Sequence, residues 1–312
     1  MSRSTLKIKP LPVEKFFTSL TINLTNKCNT YCKYCFRDSK KSAKDEIELK
    51  DIKRILFFFQ KKQANVIELY LQLTGGEIFL YPNIFEIIKL ALSLGYTLRL
   101  QTNGLLFNKM NHRQLEIFSS KKIIIKISLD GWNSKIHELY RAKGSFDKVV
   151  SGIKIIRKYN KNIAIKTVVQ KLNFPQIYKM LDICLDLGAR GFSYNILRPE
   201  GRGIRIKEPI KEIDVIKKLI PYFNQKKYKF LLNGTNILVY YSMQEPTAKI
   251  SKGFYINFDG NIYPTQECNT KQKIGSIFSR NLLKEFDTTK FPNICFNAPV
   301  DAFEYVKKNL KQ

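Results

Sequence analysis

Two patterns of apolar residues alternate along this chain. Short, nearly continuous apolar runs predict buried strands at 20–24, 66–73, 96–102, 122–129, 162–169 and 191–197. Between them, apolar residues recur every three to four positions and predict amphipathic helices at 48–62, 83–94, 110–119, 145–158 and 174–187. Strands that alternate with helices in this way predict an α/β fold with a parallel sheet and right-handed crossovers.

The last third of the chain has a different pattern. Residues 253–264 alternate aromatic and aliphatic residues around Asp259-Gly260-Asn261, which predicts a β-hairpin. We therefore expect a short basic lead-in at 1–18, an α/β core at 19–209 and a small hairpin-containing extension at 210–312. No stretch rich in Pro, Gly or Ser separates independent domains.

The charge of the chain predicts an anionic partner. Its formal net charge is +28, from 54 Lys and Arg against 26 Asp and Glu. The lysines are spread evenly and follow no RNA-binding motif, so a nucleic acid is an open alternative but not the favoured partner. One basic loop, 198–205, follows the last predicted core strand, where it would suit an acidic peptide or a phosphorylated substrate.

Nothing in the sequence predicts export or membrane insertion. We find no signal peptide and no apolar run long enough to cross a bilayer. The expected location is cytoplasmic, with no membrane partner. A disulfide framework is excluded, because such frameworks belong to small proteins in oxidising compartments.

Three of the six cysteines fall within eight residues, as Cys28, Cys32 and Cys35 in a C-x3-C-x2-C spacing. A zinc site would need a second Cys or His pair, and neither His112 nor His137 belongs to one. Three thiolates can instead hold three irons of a [4Fe–4S] cluster and leave the fourth iron open. Such a cluster is suited to binding a ligand at iron.

The cysteine spacing, with an aromatic residue after the third cysteine, resembles the signature of the radical S-adenosylmethionine (SAM) enzymes. This resemblance implies a partial (β/α)6 barrel and a [4Fe–4S] cluster on Cys28, Cys32 and Cys35, with Tyr34 and Phe36 beside the cofactor. It also implies that SAM binds the open iron and is cleaved to a 5′-deoxyadenosyl radical, which abstracts hydrogen from a substrate. A reductant such as flavodoxin or ferredoxin would supply the electron.

A Gly75-Gly76-Glu77 segment directly follows the second predicted strand. In parallel α/β sheets, ligands bind beyond the carboxyl ends of the strands. The resemblance implies that Gly75, Gly76 and Glu77 meet the amino group of SAM. Ile78 stands where the family usually has proline, which leaves the binding groups intact.

Further SAM contacts are implied after later strands. The resemblance assigns Ser128 to the SAM ribose, Arg141 to its carboxylate and the backbone of Leu197 to its adenine. A guanidinium suits a carboxylate because its donors form a planar fork. Ordinary turn chemistry is the alternative for each, and His137 is expected to be structural.

The extension resembles the SPASM/twitch modules, which hold auxiliary clusters in relatives. Thr265 occupies the position where that pattern has its first cysteine, and Cys268 and Cys295 are too few for a usual cluster. We expect the fold to be kept and the auxiliary cluster to be lost. The alternative is a cluster completed by Cys184 or a non-cysteine ligand, although Cys184 fits a packed helix face.

The expected function is radical modification of a peptide or protein by maturation, cross-linking or epimerisation. Asp130 and Cys268 are the candidates for proton or hydrogen donation to the substrate. A separate leader-peptide-binding protein is an expected partner, because the 18-residue lead-in is short. The alternatives are a radical SAM enzyme acting on RNA or a nucleotide, and a non-catalytic iron–sulfur protein.

Overall fold

The computed structural model describes residues 16–61, 66–206, 210–232, 252–263, 275–276, 278 and 308–309. The strands within these ranges are Phe16–Asn23 (β1), Val66–Thr74 (β2), Thr97–Thr102 (β3), Ile123–Ser128 (β4), Ile163–Val169 (β5), Gly191–Ile196 (β6), Lys252–Ile256 (β7), Asn261–Tyr263 (β8) and Gly275–Ser276 (β9). The helices are Leu49–Lys61 (α1), Ile84–Ser93 (α2), His112–Glu116 (α3), Ser134–His137 (α4), Ser145–Ile156 (α5), Lys179–Asp186 (α6) and Glu212–Phe223 (α7). No helix in these ranges combines the length and apolarity that crossing a bilayer requires.

All of these strands belong to one sheet, in the order β6-β5-β4-β3-β2-β1-β7-β8-β9. The first six pair in parallel in sequence order, which confirms the predicted α/β core. Each parallel step needs a crossover, and the helices that supply it lie between the strands in the chain.

The two faces of the sheet differ in chemistry. On the outer face, Leu100, Ile125 and Ile165 are fully buried and belong to one apolar core with residues of α1, α2 and α5. On the inner face, the alternate positions are polar and half-buried, for example Gln101 and Lys126. Because side chains alternate along a strand, one run of residues supplies both the core and a polar inner surface.

Two predicted helices are shorter than expected. At 110–119, a capping box at Asn111 begins α3, and the helix passes into a 3-10 turn after Glu116. At 174–187, a 3-10 turn with Pro175 precedes α6, which begins only at Lys179. The helices α4 and α7 were not expected from the apolar pattern.

The predicted hairpin is present but is joined to the core sheet. β7 and β8 pair antiparallel, with a Gly260 turn between them, as expected. β7 also pairs in parallel with β1 along Thr18–Ile22, so the sheet runs across the expected boundary at residue 209. β1 itself begins at Phe16, within the expected lead-in, because Phe16 already pairs with Val66.

Candidate active site

A cavity of about 260 Å³ lies at the carboxyl ends of the core strands and on the inner face. Many of the predicted site residues line it together: Cys28, Cys32, Cys35, Tyr34, Phe36, Gly75, Gly76, Ser128 and Arg141. They come from the loop after β1 and from the ends of β2 and β4, with Arg141 following α4. The parallel sheet therefore brings distant segments to one place, as ligand sites in such sheets require.

The loop after β1 carries the three cysteines. Cys28 and Cys32 are buried and Cys35 is half-buried. The Thr30 hydroxyl lies 3.3 Å from the Cys28 Sγ and 3.7 Å from the Cys32 Sγ. Burial raises the pKa of the Cys28 thiol, and the Thr30 hydrogen bond opposes this more weakly.

The donor set fits an iron–sulfur cluster. Three thiols face one cavity, and each iron of a cluster takes one thiolate. No group of three His, Cys, Asp or Glu side chains in the described part of the chain could hold a single metal ion. Three thiols that lie apart can each bind a different iron of a cluster, because the irons occupy separate corners of the cube. They are less suited to binding one ion together.

Two glycines bring the end of β2 against the cysteine loop. The Gly76 N–H donates to the Thr25 carbonyl at 2.8 Å. A Cβ added at Gly76 would lie 2.3 Å from the Lys27 carbonyl oxygen, and one at Gly75 would lie 2.5 Å from the Thr25 oxygen. Both glycines are therefore needed for this close approach, apart from any contact with a ligand.

Glu77 is fully buried behind these glycines and is not among the residues that line the cavity. Its carboxylate accepts hydrogen bonds from the Thr102 hydroxyl at 2.6 Å and from the Asn103 N–H at 2.7 Å. Burial raises the pKa of Glu77, and these hydrogen bonds oppose the rise. In this structure Glu77 connects β2 to the loop after β3, and its contact with SAM stays a prediction.

Arg202 holds the cysteine loop from the other side. This buried side chain donates to the Cys32 carbonyl at 2.8 Å, to the Ser39 carbonyl at 3.0 Å and to the Asp38 carboxylate at 2.7 Å. Its guanidinium carbon also lies 3.9 Å from the centre of the Tyr31 ring. Loop 198–205 was expected to suit an acidic or phosphorylated substrate. The structure shows in addition that Arg202 of this loop supports the cysteine loop.

Asp130 lies behind the cavity wall as a hydrogen-bonding centre. It is buried and accepts from the Tyr34 hydroxyl, from the Arg141 Nε at 2.5 Å and from the Val168 N–H at 2.8 Å. It does not line the cavity, whereas Tyr34 and Arg141 do. This placement suits positioning of Arg141 and argues against direct proton donation from Asp130 to a substrate.

His137 supports the same centre. Its Nδ1 accepts a hydrogen bond from the Asp130 N–H at 3.1 Å, and its ring packs edge-on against Phe146. Burial, with the nearby Arg141 charge, lowers the pKa of His137 to about 4. The imidazole is therefore neutral near pH 7, in line with the expected structural role.

Leu197, like Glu77, is a predicted cofactor contact that does not line the cavity. Its side chain is buried against Cys32 and Tyr34 and is not part of the cavity lining, although Ile196 and Arg198 are. Phe36 lines the cavity, and the Arg198 guanidinium lies 5.4 Å from its ring centre. The predicted backbone contact of Leu197 with adenine stays a prediction.

Three polar residues on the cavity wall were not expected from the sequence: Gln72, Lys126 and Lys166. One signal could have found the two lysines. Each is the only charged residue in an otherwise apolar strand, Ile-Ile-Ile-Lys-Ile-Ser in β4 and Ile-Ala-Ile-Lys-Thr in β5. A lysine in such a strand has to face a cavity or a partner.

The cysteines outside the loop divide into two groups. Cys184 is fully buried in the apolar core, as the helix pattern indicated. Thr265, Cys268 and Cys295 lie outside the described residues, and both the hydrogen-donor role of Cys268 and the loss of the auxiliary cluster stay predictions.

Comparison with known proteins decides the family. The sequence model of the radical SAM superfamily matches residues 22–184, from β1 to α6. The chain belongs to the radical SAM superfamily. The enzymes of this superfamily use a [4Fe–4S] cluster and SAM, and the cavity gathers the donor set that such a cluster needs.

Individual relatives extend the comparison. The antilisterial bacteriocin subtilosin biosynthesis protein AlbA of Bacillus subtilis is 32% identical over 207 residues, 65% of this chain and 44% of AlbA. An AdoMet-dependent heme synthase of Methanosarcina barkeri is 27% identical over 289 residues, 92% of this chain and 80% of that protein. The matched part of this radical SAM chain thus spans less than half of AlbA.

A solved structure shows the same fold. Streptococcus suis SuiB bound to its precursor peptide SuiA superposes with a TM-score of 0.67 at 21% identity, covering 88% of this chain and 65% of SuiB. This likeness confirms the partial-barrel radical SAM fold that the resemblance implied.

Proposed function

We propose that this protein is a radical SAM enzyme that modifies a peptide or protein substrate by maturation, cross-linking or epimerisation. The observation that carries the proposal is the shared cavity, which Cys28, Cys32, Cys35, Ser128 and Arg141 line together. A peptide substrate is supported by AlbA, a bacteriocin biosynthesis protein, and by SuiB, which was solved with a precursor peptide. A separate leader-binding protein would deliver the peptide in the cytoplasm.

In this proposal the chain binds and orients the cofactors. The three loop cysteines hold the cluster, Ser128 contacts the SAM ribose and Arg141 binds the SAM carboxylate. The bound cluster and SAM together supply the radical that removes a hydrogen atom from the substrate. Asp130 fixes the Arg141 guanidinium through Nε, so the two terminal amino groups can still meet a carboxylate.

The test is iron content and SAM cleavage after anaerobic reconstitution with a chemical reductant. Wild-type protein is expected to hold about four irons per chain, as one cubic cluster requires, and to form 5′-deoxyadenosine. The Cys28/Cys32/Cys35→Ala variant is expected to lose both. Cys184→Ala is the matched control, because it removes a core thiol and should retain both.

Other results would change the proposal. A triple variant that keeps about four irons would point to an auxiliary cluster that uses Cys268 and Cys295. Wild-type protein that binds iron but never cleaves SAM would favour the non-catalytic iron–sulfur protein and contradict the proposed enzyme.

A second candidate substrate is a small carboxylate-bearing molecule. The heme synthase relative matches 92% of this chain and 80% of its own length, a fuller match than AlbA gives. Heme carries carboxylate side chains, and the cavity wall is basic. Turnover of a tetrapyrrole by the reconstituted protein, with no peptide product, would favour this candidate.

The RNA or nucleotide alternative depends mainly on the net charge of +28. Binding to a phosphate backbone weakens steeply as the salt concentration rises. If RNA is the substrate, specific contacts should keep it bound at physiological ionic strength. Loss of all RNA binding at that ionic strength would remove it.

A further inference from the structure

The inner face of the sheet, which lines the same cavity as the cysteines, carries two lysines on neighbouring strands. Lys126 of β4 pairs in register with Gln101 of β3, and Lys166 of β5 pairs with Ser128 of β4. The Lys166 Nζ donates to the Gln101 Oε1 at 3.1 Å. Both lysines line the same cavity as the cysteines, so a molecule bound there reaches all of them.

No carboxylate of the described residues lines this cavity, while five cationic side chains do. Two of the five, Arg141 and Arg202, form ion pairs with Asp130 and Asp38. The nearby Glu77 carboxylate lies outside the cavity and accepts its hydrogen bonds from protein donors. Five cationic side chains and no carboxylate make the cavity wall basic.

Lys126 is the clearest sign of a missing anion. No hydrogen bond or ion pair joins its ammonium to the rest of the described chain. Burial, followed by the charge of Arg99, lowers the pKa of Lys126 to about 8. An ammonium in such surroundings costs stability unless a partner neutralises it.

We propose that Lys126 and Lys166 form a carboxylate-binding subsite for the substrate of this enzyme. The proposal rests on the proposed radical SAM function and narrows its substrate to one that carries a carboxylate near the reacting centre. Ammonium–carboxylate hydrogen bonds are among the strong ones in proteins, and two lysines at diagonal positions on neighbouring strands can each donate to one carboxylate oxygen. The carboxylate could belong to an Asp or Glu of a peptide or to a side chain of a tetrapyrrole.

The test measures how fast sulfosuccinimidyl acetate acetylates Lys126 in the reconstituted protein. Mass spectrometry quantifies the modified lysines. The exposed Lys121 is the internal control. The probes are N-acetyl-Gly-Glu-Gly-amide and its Gln counterpart, and coproporphyrin and its methyl ester. We expect the matching acidic probe to slow acetylation of Lys126 about tenfold while its neutral counterpart and Lys121 show no change.

The peptide and porphyrin probes distinguish the two sources of the carboxylate. Protection by the Glu peptide supports an acidic peptide, and protection by coproporphyrin alone supports a tetrapyrrole. Equal protection by acidic and neutral probes, protection by SAM alone, or no protection by any probe would overturn the subsite. A Lys126 that the reagent never reaches would also overturn it, since a substrate could not reach it either.

A stability measurement separates a binding role from a structural one. Removing this unpaired, half-buried charge should relieve its desolvation cost, so Lys126→Met is expected to raise the melting temperature by about 2–4 °C, whereas Lys121→Met leaves it unchanged. A fall of that size would show that Lys126 supports the fold and would contradict the proposal. Formation of 5′-deoxyadenosine is measured separately, so failure of the enzyme proposal is distinguishable from failure of the subsite.

Discussion

At the residue scale, the polar groups behind the cavity decide how its wall is held. Asp130 gathers donors from the cysteine loop, from Arg141 and from β5, and His137 accepts from the Asp130 backbone. None of these contacts needs a ligand. The wall therefore presents Arg141 in a fixed orientation before any cofactor binds.

The buried His137 gives a pH dependence with a definite sign. Its pKa falls from 6.5 to about 4 on folding, so the folded state favours the neutral ring. The stability that the neutral His137 ring contributes is fully present above pH 6.5 and is lost as the pH falls towards 4. This loss lowers the free energy of unfolding by about 3 kcal/mol. The free energy of unfolding of His137→Asn, measured with denaturant, should lack this part of the dependence on pH between pH 7 and pH 4.5.

The second histidine provides the control for this prediction. The His112 side chain is 70% exposed, and His112→Asn should keep the wild-type slope. Parallel stability curves for His137→Asn and wild type would contradict the assigned role of burial.

At the element scale, the 3-10 turn Gly201–Arg205 is the part of the fold that holds the cysteine loop in place. Arg202→Ala would remove the side-chain hydrogen bonds to the Cys32 and Ser39 carbonyls. Groups that orient metal ligands typically change metal affinity by about 10–100-fold when removed. We expect the variant to lose iron to a chelator about tenfold faster than wild type does, measured by absorbance after reconstitution.

Arg205 is the matched control, because it is exposed on the same turn. Arg205→Ala should retain iron as wild type does. Equal iron loss from all three proteins would mean that the cluster loop does not depend on Arg202.

Sequence patterns predicted strands more successfully than connections. The six core strands follow from apolar runs such as Ile123–Ile127, whose burial depends on local composition. The Arg202 contact joins residues 170 positions apart, and no local pattern encodes which arginine of loop 198–205 turns inward. Likewise, Glu77 was recognisable from its motif, but its burial depends on Thr102 and Asn103 after the next strand.

At the scale of the whole molecule, the sheet does not stop where the chain pattern changes. The hairpin of β7 and β8 was expected in the C-terminal extension, and β7 also forms a parallel ladder with β1 of the core. The alternation that predicts a hairpin carries no information about a third strand beside it. Pairing with β1 makes this hairpin part of the same hydrogen-bonded sheet as β1, the strand that leads into the cysteine loop.

This continuity predicts cooperative unfolding. Ile256 in β7 is fully buried in the main core, so Ile256→Ala should cost about 2–5 kcal/mol and shift one single transition to lower temperature. Asp259→Asn at the exposed hairpin turn should shift it little. Calorimetry that resolves an early, separate transition in Ile256→Ala would instead indicate an independent C-terminal unit.

The Arg202 contact also orders events during synthesis. The three cysteines emerge from the ribosome early, but the side chain that fixes the Cys32 carbonyl follows 170 residues later. A nascent chain that ends before this turn has the thiols without their support. Stable cluster insertion is therefore a late step, and iron delivered before β6 and its turn have folded meets a loop that is not yet held.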